Sequence, residues 1–268
     1  MRLKQITKKT LFSVFFIVST LSFTAFANSK QCAEKSIIHG KGISSDIVDF
    51  IPDGDTIHTK NGTKIRLLNI DTPELNPTNS KPAEPFAQKA KDNLIQLIGK
   101  SKRIYWTTDN RKTDRYGRVL AHVFNQQGEL LSGAQLEAGL ASVLVIPPND
   151  RYWQCLKSIE KEAIQSKKAI WSLTESYSKL ASKIQKNSDF QWITGTITER
   201  SQTKNNLWLV LDDKVWVGIP NDRKRFFDRE QIDKKVGEQL SLRGYIYESH
   251  GKLRIKLKHP AMLMDESI

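Results

Sequence analysis

The chain has 268 residues, with 42 Lys and Arg against 29 Asp and Glu, which gives a formal net charge of +13 at pH 7. Beyond the N-terminal segment no stretch is apolar enough to cross a bilayer, which excludes a multispanning membrane protein. The basic excess favours a polyanionic partner such as nucleic acid or anionic lipid, and the length allows two modest domains.

The N-terminal segment has the pattern of a secretory signal peptide. A basic region, Arg2–Lys9, precedes an apolar run, Leu11–Phe26, which ends in the small-x-small pattern Ala25-Phe26-Ala27. The short apolar run disfavours the alternative, an uncleaved membrane anchor. We therefore predict that residues 1–27 are removed and that the mature protein is exported, periplasmic or secreted, with no membrane attachment after cleavage.

Short alternating runs predict a β-meander early in the mature chain. Ile47–Ile51 leads into the turn Asp53-Gly54-Asp55, and Thr56–Thr59 runs to Asn61-Gly62. Asn-Gly between two alternating runs is the strongest short-range hairpin signal. The run Lys64–Ile70 completes the predicted meander.

Two further strands and three helices are predicted in the same domain. Apolar residues at helical spacing, bounded by Gly or Pro, indicate the helices. Short strands combined with three helices favour a small closed β-barrel flanked by helices, which we assign to residues 28–172. The strands are Arg103–Thr107 and Val119–Phe124, and the helices run from Phe86 to a stop at Gly99, over Ser132–Glu137 and over Arg151–Ala169.

The rest of the chain is predicted to form a second β domain. Residues 173–189 are rich in Ser and Lys and are interpreted as a linker or a surface helix. Residues 190–268 return to β patterning, with three strands, a helix and two strands. That order is typical of a small oligonucleotide-binding-type (OB) barrel, so the expected fold class is mainly β with helices (α+β).

Cys32 and Cys155 are the two cysteines of the chain. An even count in an exported protein permits a disulfide, which here would join the N-terminal segment to the last helix of the first domain. Compartment and parity favour this disulfide over two free buried thiols.

Three clusters in the first domain carry polar and charged residues. They are Asp53-Gly54-Asp55-Thr56, the segment Arg66–Glu74 and the segment Thr113–Arg118. Each cluster alone is explained equally well by an ordinary turn or an element boundary, because isolated motifs have a high false-positive rate. Their combination indicates a catalytic site.

Together the clusters supply the groups that phosphodiester cleavage needs. Asp55 and Asp71 offer carboxylate oxygens to a hard divalent cation. Glu74 can activate water, and Arg66 and Arg118 can grip a phosphate through charge-assisted hydrogen bonds. A cation and two guanidinium groups would stabilise the negative charge that builds up on the phosphate oxygens.

The ordered clusters resemble the staphylococcal nuclease (thermonuclease) family, over roughly Ile47 to Trp171. The resemblance implies a five-stranded OB-type barrel with three helices, a calcium ion, and cleavage of DNA and RNA that leaves 3′-phosphate ends. It implies that Asp55 and Asp71 bind the calcium together with the backbone carbonyl of Thr72.

The resemblance also implies roles for residues around the metal. Arg66 and Arg118 are expected to bind the scissile phosphate, and Glu74 to position or activate the attacking water. Asp53 corresponds to an acid beside the metal ligands, and Tyr116 to a residue near the substrate. The residue before this tyrosine is Arg115, where the family usually has Lys.

One loop departs from the family pattern. The family has tyrosines in the loop that stacks on the substrate base, whereas Val143–Pro147 contains no aromatic ring. Base stacking on an aromatic ring is worth about 1–3 kcal/mol. We therefore expect a weaker or differently placed base pocket.

Two features of the second domain have two interpretations each. Trp192, Trp208 and Trp216 either fill a small core or stack on bases, and core packing is favoured because aromatic rings dominate small cores. Alternating cations on one strand either follow a phosphate backbone or protect an edge strand. These cations are Lys252, Arg254, Lys256 and Lys258.

The sequence therefore predicts an exported, monomeric, calcium-dependent endonuclease acting on DNA and RNA. The alternative is a non-catalytic nucleic-acid-binding module of the same fold, which the complete set of catalytic residues disfavours. A third hypothesis, an envelope interaction protein acting through its C-terminal domain, leaves that set unexplained.

Overall fold

A computed structural model of the chain describes residues 32–33, 35–75, 82–173, 178–185 and 190–264. The predicted signal peptide, residues 1–27, lies outside these ranges. Within them, no helix combines the length and the apolar character that a bilayer crossing requires.

The first part of the described chain, which we call the barrel unit, alternates short strands with three helices. Each element ends close to a turn residue or a reversal that the sequence indicates. In chain order the elements are β1 (Ser44–Phe50), β2 (Thr56–Thr59), β3 (Lys64–Leu67), β4 (Ile70–Asp71), α1 (Ala87–Ile98), β5 (Arg103–Thr113), β6 (Val119–Phe124), α2 (Leu131–Glu137), β7 (Ser142–Val143) and α3 (Trp153–Gln165).

Five of these strands close into a barrel, in the order β1-β2-β3-β6-β5. The meander β1–β3 is antiparallel, β3 pairs in parallel with β6, and β5 pairs with both β6 and β1. The predicted closed barrel with three helices is therefore confirmed. Strand β5 is longer than predicted and continues to Thr113, so it carries the third polar cluster at its end.

The barrel interior is filled by the apolar residues of the alternating runs. Ile57 and Ile65 lie opposite each other on β2 and β3 and are fully buried. Leu94 of α1 and Leu156 of α3 belong to the same core. Burial of such a side chain stabilises the fold by about 1.5–3 kcal/mol, so the helices are held to the barrel by their apolar faces.

The predicted third strand ends earlier than expected. It was predicted through Ile70, but β3 ends at Leu67 because Asn69 adopts a left-handed backbone conformation with φ 66°. The Asn69 side-chain amide donates to the carbonyl of Arg151 at 2.6 Å, which holds the reversal in place. The chain then leaves the barrel, and β4 pairs with β7.

A disulfide joins Cys32 to Cys155, as predicted, with 5.6 Å between the two Cα atoms. It ties the segment before β1 to α3 across a separation of 123 residues. A bond that closes so long a loop restricts the unfolded chain and so favours the folded state.

The rest of the described chain forms a second sheet, which we call the C-terminal sheet. Its strands follow the path β12-β9-β10-β11-β14-β13, with β8 paired on β9. The elements are β8 (Ser178–Leu180), β9 (Phe190–Gln202), β10 (Asn206–Leu211), β11 (Val215–Pro220), α4 (Arg229–Ile232), β12 (Gln239–Tyr245), β13 (Tyr247–Ser249) and β14 (Lys252–Lys256).

The predicted closure of this second sheet into a barrel is wrong. Its hydrogen-bonded path runs from β12 to β13 without closing. The outer edge of β12 is covered instead by the segment that follows the sheet. Leu263 bridges to Leu242, and the Met264 amide donates to the carbonyl of Ser241 at 2.9 Å. That segment occupies the edge at which a closing strand would pair.

Of the three tryptophans of this sheet, one is buried and two lie beneath cations of β14. Trp192 is buried, as core packing requires, whereas Trp208 and Trp216 are half-buried. Arg254 lies over the Trp208 ring and Lys252 over the Trp216 ring. Lys252 and Arg254 lie on β14 where it pairs with both β11 and β13, so edge protection does not explain these two, and Lys258 lies beyond the strand.

The C-terminal sheet packs on the barrel unit through a buried ion pair. Arg243 of β12 donates to both carboxylate oxygens of Glu160 in α3, at 2.6 and 2.7 Å, and both side chains are buried. Trp171 and Trp192 add a parallel stack with ring centroids 4.8 Å apart. These contacts fix the sheet against the helix that lies behind β7.

Replacing Glu160 by Gln should destabilise the protein strongly. The variant leaves the Arg243 charge buried without its counter-charge, so we expect the free energy of unfolding to fall by about 3–5 kcal/mol at neutral pH. Glu199→Gln, which removes an exposed carboxylate from β9, is the matched control and should change it by less than about 0.5 kcal/mol. Urea unfolding measures both values.

The difference between wild type and Glu160→Gln should also depend on pH. Burial opposes ionisation of Glu160, but the charges of Arg243 and Lys157 outweigh it and lower the pKa from its ordinary 4.5 to about 2. A pKa lowered in the folded state stabilises the fold above the unfolded-state pKa, and this contribution is lost as the pH falls from about 4.5 through about 2. A difference that stays constant over that range would contradict the assignment.

Candidate active site

The first two polar clusters meet at one end of the barrel. Asp55 precedes β2, Arg66 lies on β3 opposite Thr56, and Asp71 ends β4. One guanidinium nitrogen of Arg66 contacts the Asp55 carboxylate, and the other donates to Asp71 at 2.8 Å. Arg66 therefore bridges the two carboxylates that the sequence predicts as metal ligands.

Asp55 is the most enclosed of these groups, with 2% of its surface exposed. Its carboxylate accepts the Thr56 hydroxyl at 3.1 Å and the Thr72 backbone N–H at 3.2 Å. The Asp53 carboxylate accepts the Asp55 N–H at 3.2 Å. Asp55 is thus held in one orientation, while Asp53 supports the turn beside it.

The turn before β2 is fixed from behind by a residue that the sequence analysis missed. Gln135 of α2 is fully buried and donates to the carbonyls of Gly54 and Ala90, at 2.7 and 2.8 Å. Its own side-chain oxygen accepts from Asn93 at 2.8 Å. The only sequence signal for this role is a glutamine on the buried side of a short helix, between Ala134 and Leu136.

The site carries more negative than positive charge. Burial raises the pKa of Asp55 to about 7, and the carboxylates of Asp53, Asp71 and Glu74 add to that effect while Arg66 opposes it. Burial also raises the pKa of Asp71 and of Glu74. Four carboxylates around one guanidinium form an oxygen-rich, anionic environment of the kind that suits a hard cation.

These carboxylates do not form a closed metal cage. Among the described residues, no three His, Cys, Asp or Glu side chains are grouped so as to hold a metal ion. A cation bound by Asp55 and Asp71 would complete its shell with backbone oxygen and water, which calcium accepts readily. The donor set therefore fits calcium better than a metal that demands side-chain ligands alone.

Glu74 lies at the edge of this group and is exposed. Its backbone N–H donates to the Glu84 carboxylate at 3.0 Å, and the Glu84 N–H donates back to the Glu74 carbonyl at 2.9 Å. These two bonds fix the position of Glu74 relative to α1.

The third cluster is organised by Asp114, to which the sequence analysis gave no role. Its carboxylate accepts the backbone N–H groups of Tyr116 and Arg118, each at 2.9 Å, and the Arg118 side chain at 2.7 Å. Arg115 and Arg118 both lie over the exposed Tyr116 ring. Arg118 is therefore presented by this turn and paired with Asp114, apart from the group that Arg66 bridges.

Comparison with known proteins agrees with this geometry. Residues 64–173 match the family described as "Staphylococcal nuclease homologue". The chain is 33% identical over 172 residues to the thermonuclease of Staphylococcus intermedius, covering 63% of this chain and 99% of that protein. The chain belongs to the staphylococcal nuclease family.

Two further proteins are similar to part of the chain. The thermonuclease of Staphylococcus hyicus is 33% identical over 123 residues, which are 45% of this chain and 71% of that protein. Endonuclease YncB of Bacillus subtilis (strain 168) is 36% identical over 129 residues, which are 47% of this chain and 60% of that protein. The family match ends at residue 173, before the C-terminal sheet begins.

The individual roles assigned to residues of this nuclease-family site stay predictions. The structure groups Asp53, Asp55, Arg66 and Asp71 directly. It places Thr72 in contact with Asp55 through its backbone N–H. Glu74 joins them through electrostatic interaction, and the third cluster forms a neighbouring turn.

Gly54→Ala should disturb this site because the turn packs too closely for a side chain. A Cβ at Gly54 would lie 2.6 Å from the Ala90 Cβ and 2.9 Å from the Thr72 hydroxyl oxygen. We expect the free energy of unfolding to fall by about 1–3 kcal/mol. Nuclease activity should also fall in protein that is fully folded by circular dichroism, because the shift displaces Asp55.

A compensating variant tests the steric cause. Ala90→Gly alone weakens α1 by about 1 kcal/mol. Combined with Gly54→Ala it removes the shortest contact. The double variant should therefore lose less stability than the sum of the losses of the two single variants. Strict additivity would show that the packing of Gly54 against Ala90 is not the reason.

Proposed function

We propose that this protein is an exported, calcium-dependent endonuclease that hydrolyses phosphodiester bonds of DNA and RNA and leaves 3′-phosphate ends. The observation that carries the proposal is the bridge of Arg66 between Asp55 and Asp71, in an anionic pocket of a nuclease-family barrel. If a cation bound the two carboxylates, the Arg66 guanidinium would be free to donate to a phosphate.

Asp55 and Asp71 would hold the calcium, with the Thr72 carbonyl as a further oxygen ligand. When bound, the ion supplies positive charge that stabilises the negative charge of the transition state. The backbone N–H of Thr72 and the hydroxyl of Thr56 keep the Asp55 carboxylate oriented for this role.

Arg66 and Arg118 would bind the scissile phosphate. Once its carboxylate partners hold a cation, the Arg66 N–H groups can donate to phosphate oxygens, which the planar guanidinium fits well. Asp114 would set the direction of the Arg118 side chain by accepting from its Nε. Both arginines would stabilise the charge of the transition state without proton transfer.

Glu74 would act as the general base. Partial desolvation and the neighbouring charge of Asp53 raise its pKa, which makes it a better proton acceptor. It would take a proton from water as the water oxygen bonds to phosphorus. The bond from phosphorus to the 5′ oxygen breaks, and that oxygen leaves as a hydroxyl after gaining a proton.

Export and a monomeric state complete the proposal. The predicted signal peptide supports export, and so does the disulfide between Cys32 and Cys155, because disulfides persist in oxidising compartments. The periplasm and the external medium are both consistent with this reasoning.

The direct test is cleavage of single-stranded DNA, double-stranded DNA and RNA by the processed protein, with calcium, with magnesium and with chelator. We expect cutting with calcium, little with magnesium, and none with chelator. Labelling of the products should find 3′-phosphate and 5′-hydroxyl ends. Folded protein that binds nucleic acid and never cuts it would instead favour the non-catalytic binding module.

Glu74→Gln should separate catalysis from binding. The amide cannot take a proton, so kcat should fall by about 10²–10⁴-fold while the affinity for a phosphodiester substrate changes little. Glu84→Gln is the matched control, because its amide oxygen can still accept the Glu74 N–H. Glu74 would not be the base if Glu74→Gln and Glu84→Gln had similar kcat values.

A further inference from the structure

A groove runs between the barrel unit and the C-terminal sheet. It consists of two cavities, of about 400 and 710 Å³, which share Ile146, Pro147, Lys256 and Lys258 in their walls. The barrel side consists of residues 144–147 and Arg111, and Ile146 is 55% exposed. We call the two together the interdomain groove.

The smaller cavity of this groove is aromatic. The C-terminal sheet contributes Phe190, Tyr245 and Tyr247 to its walls. Tyr245 is 56% exposed and meets the edge of Phe190 at 5.2 Å between ring centroids. A tyrosine this exposed at the end of a strand does not serve core packing, so its ring is accessible to a ligand.

The larger cavity is basic. Five cations contribute to its walls against the single carboxylate of Asp222, which pairs with Arg223 at 3.4 Å. Within the described part of the chain, the other four cations form no ion pair. The five cations are Arg111, Lys204, Arg223, Lys256 and Lys258. Such a cavity attracts a polyanion.

The aromatic cavity is linked to the candidate active site through β12, α3 and β7. Tyr245 and Arg243 lie on the same face of β12, and Arg243 is anchored to Glu160. Glu160 also accepts the backbone N–H of Val143 in β7, the strand that pairs with the Asp71 strand. Tyr245 is close enough to this site that burial and the charge of Asp71 raise its pKa.

We propose that the interdomain groove binds a single strand of nucleic acid that extends from the scissile phosphate. Tyr245, Phe190 and Tyr247 stack on unpaired bases, and the cations of the larger cavity contact successive phosphates. The two cavities adjoin through their shared walls, so one strand can place bases against the rings and phosphates against the cations. This inference rests on the proposed function, since it extends the same site.

A single strand fits the groove better than a duplex does. Aromatic rings stack on bases only when the bases are unpaired, whereas a duplex presents its phosphates and groove edges. The loop Val143–Pro147 has no aromatic residue, and the three rings lie on the opposite wall of the same cavity. The C-terminal sheet would thus supply the base contacts that the barrel loop lacks.

Binding of fluorescein-labelled oligothymidylate to the processed protein tests the proposal. Fluorescence anisotropy in chelator needs no cleavage, so it reports the groove separately from catalysis. Tyr245→Ala should weaken binding of a ten-nucleotide strand about tenfold, and Tyr245→Phe should restore most of it because the ring is kept. Phe50→Ala, which removes an exposed ring of the barrel unit, is the matched control and should leave binding unchanged.

The salt dependence of binding tests the basic cavity. For single strands, each phosphate contact contributes about 0.7 to the slope of log affinity against log salt concentration. The double variant Lys256→Gln/Lys258→Gln should therefore reduce the slope by about 1.4, while Lys179→Gln/Lys235→Gln, at exposed sites outside the groove, should not.

Two outcomes would overturn the proposal. Either Tyr245→Ala and the groove lysine variant bind the single strand as wild type does, or they weaken a duplex of the same length equally. Calcium-dependent cleavage with no groove effect would reject this inference and keep the proposed function. Groove-dependent binding by a protein that never cleaves would reject the proposed function and keep the groove as a binding site for single strands.

Discussion

The Glu160 carboxylate is fully buried, and groups from three elements of the fold stabilise its negative charge. Arg243 donates to it from the C-terminal sheet, Lys157 from its own helix, and the Val143 backbone N–H from β7. A buried charge of this kind is tolerated only when all its partners are in place. The docking of the sheet, the position of β7 and, through strand pairing, the position of the Asp71 segment therefore depend on one carboxylate.

The candidate active site has the opposite imbalance, since four carboxylates lie around one guanidinium. Its carboxylates repel one another, and the guanidinium of Arg66 bridges two of them, Asp55 and Asp71. The surrounding structure maintains this unfavourable grouping, since Gln135 fixes the turn at Gly54 and Asn69 directs the chain out of the barrel. A cation bound between Asp55 and Asp71 would relieve this repulsion and would allow an anionic phosphate to approach.

The C-terminal sheet lies beyond the region that matches the nuclease family, and it is not a separate appendage in space. Its strand β12 reaches the barrel unit through Arg243 and ends with Tyr245 in the interdomain groove. The segment after β14 covers the outer edge of β12, which keeps the sheet open and leaves its aromatic residues facing the groove. Packing between the two units thus creates a surface that neither has alone.

The sequence alone determined the family, the closed barrel, most element boundaries, the cysteine pair and the residues with the chemistry of phosphodiester cleavage. These follow from local signals, such as alternation, turn residues and the order of three motifs. It did not determine the early end of β3 at Leu67, the roles of Gln135 and Asp114, or the open C-terminal sheet. Each depends on partners distant in the chain: the carbonyl of Arg151 for Asn69, those of Gly54 and Ala90 for Gln135, and Leu263 for the edge of β12. Such contacts, like the pairing of Glu160 with Arg243, are decided by tertiary packing, and no periodicity in the sequence predicts them.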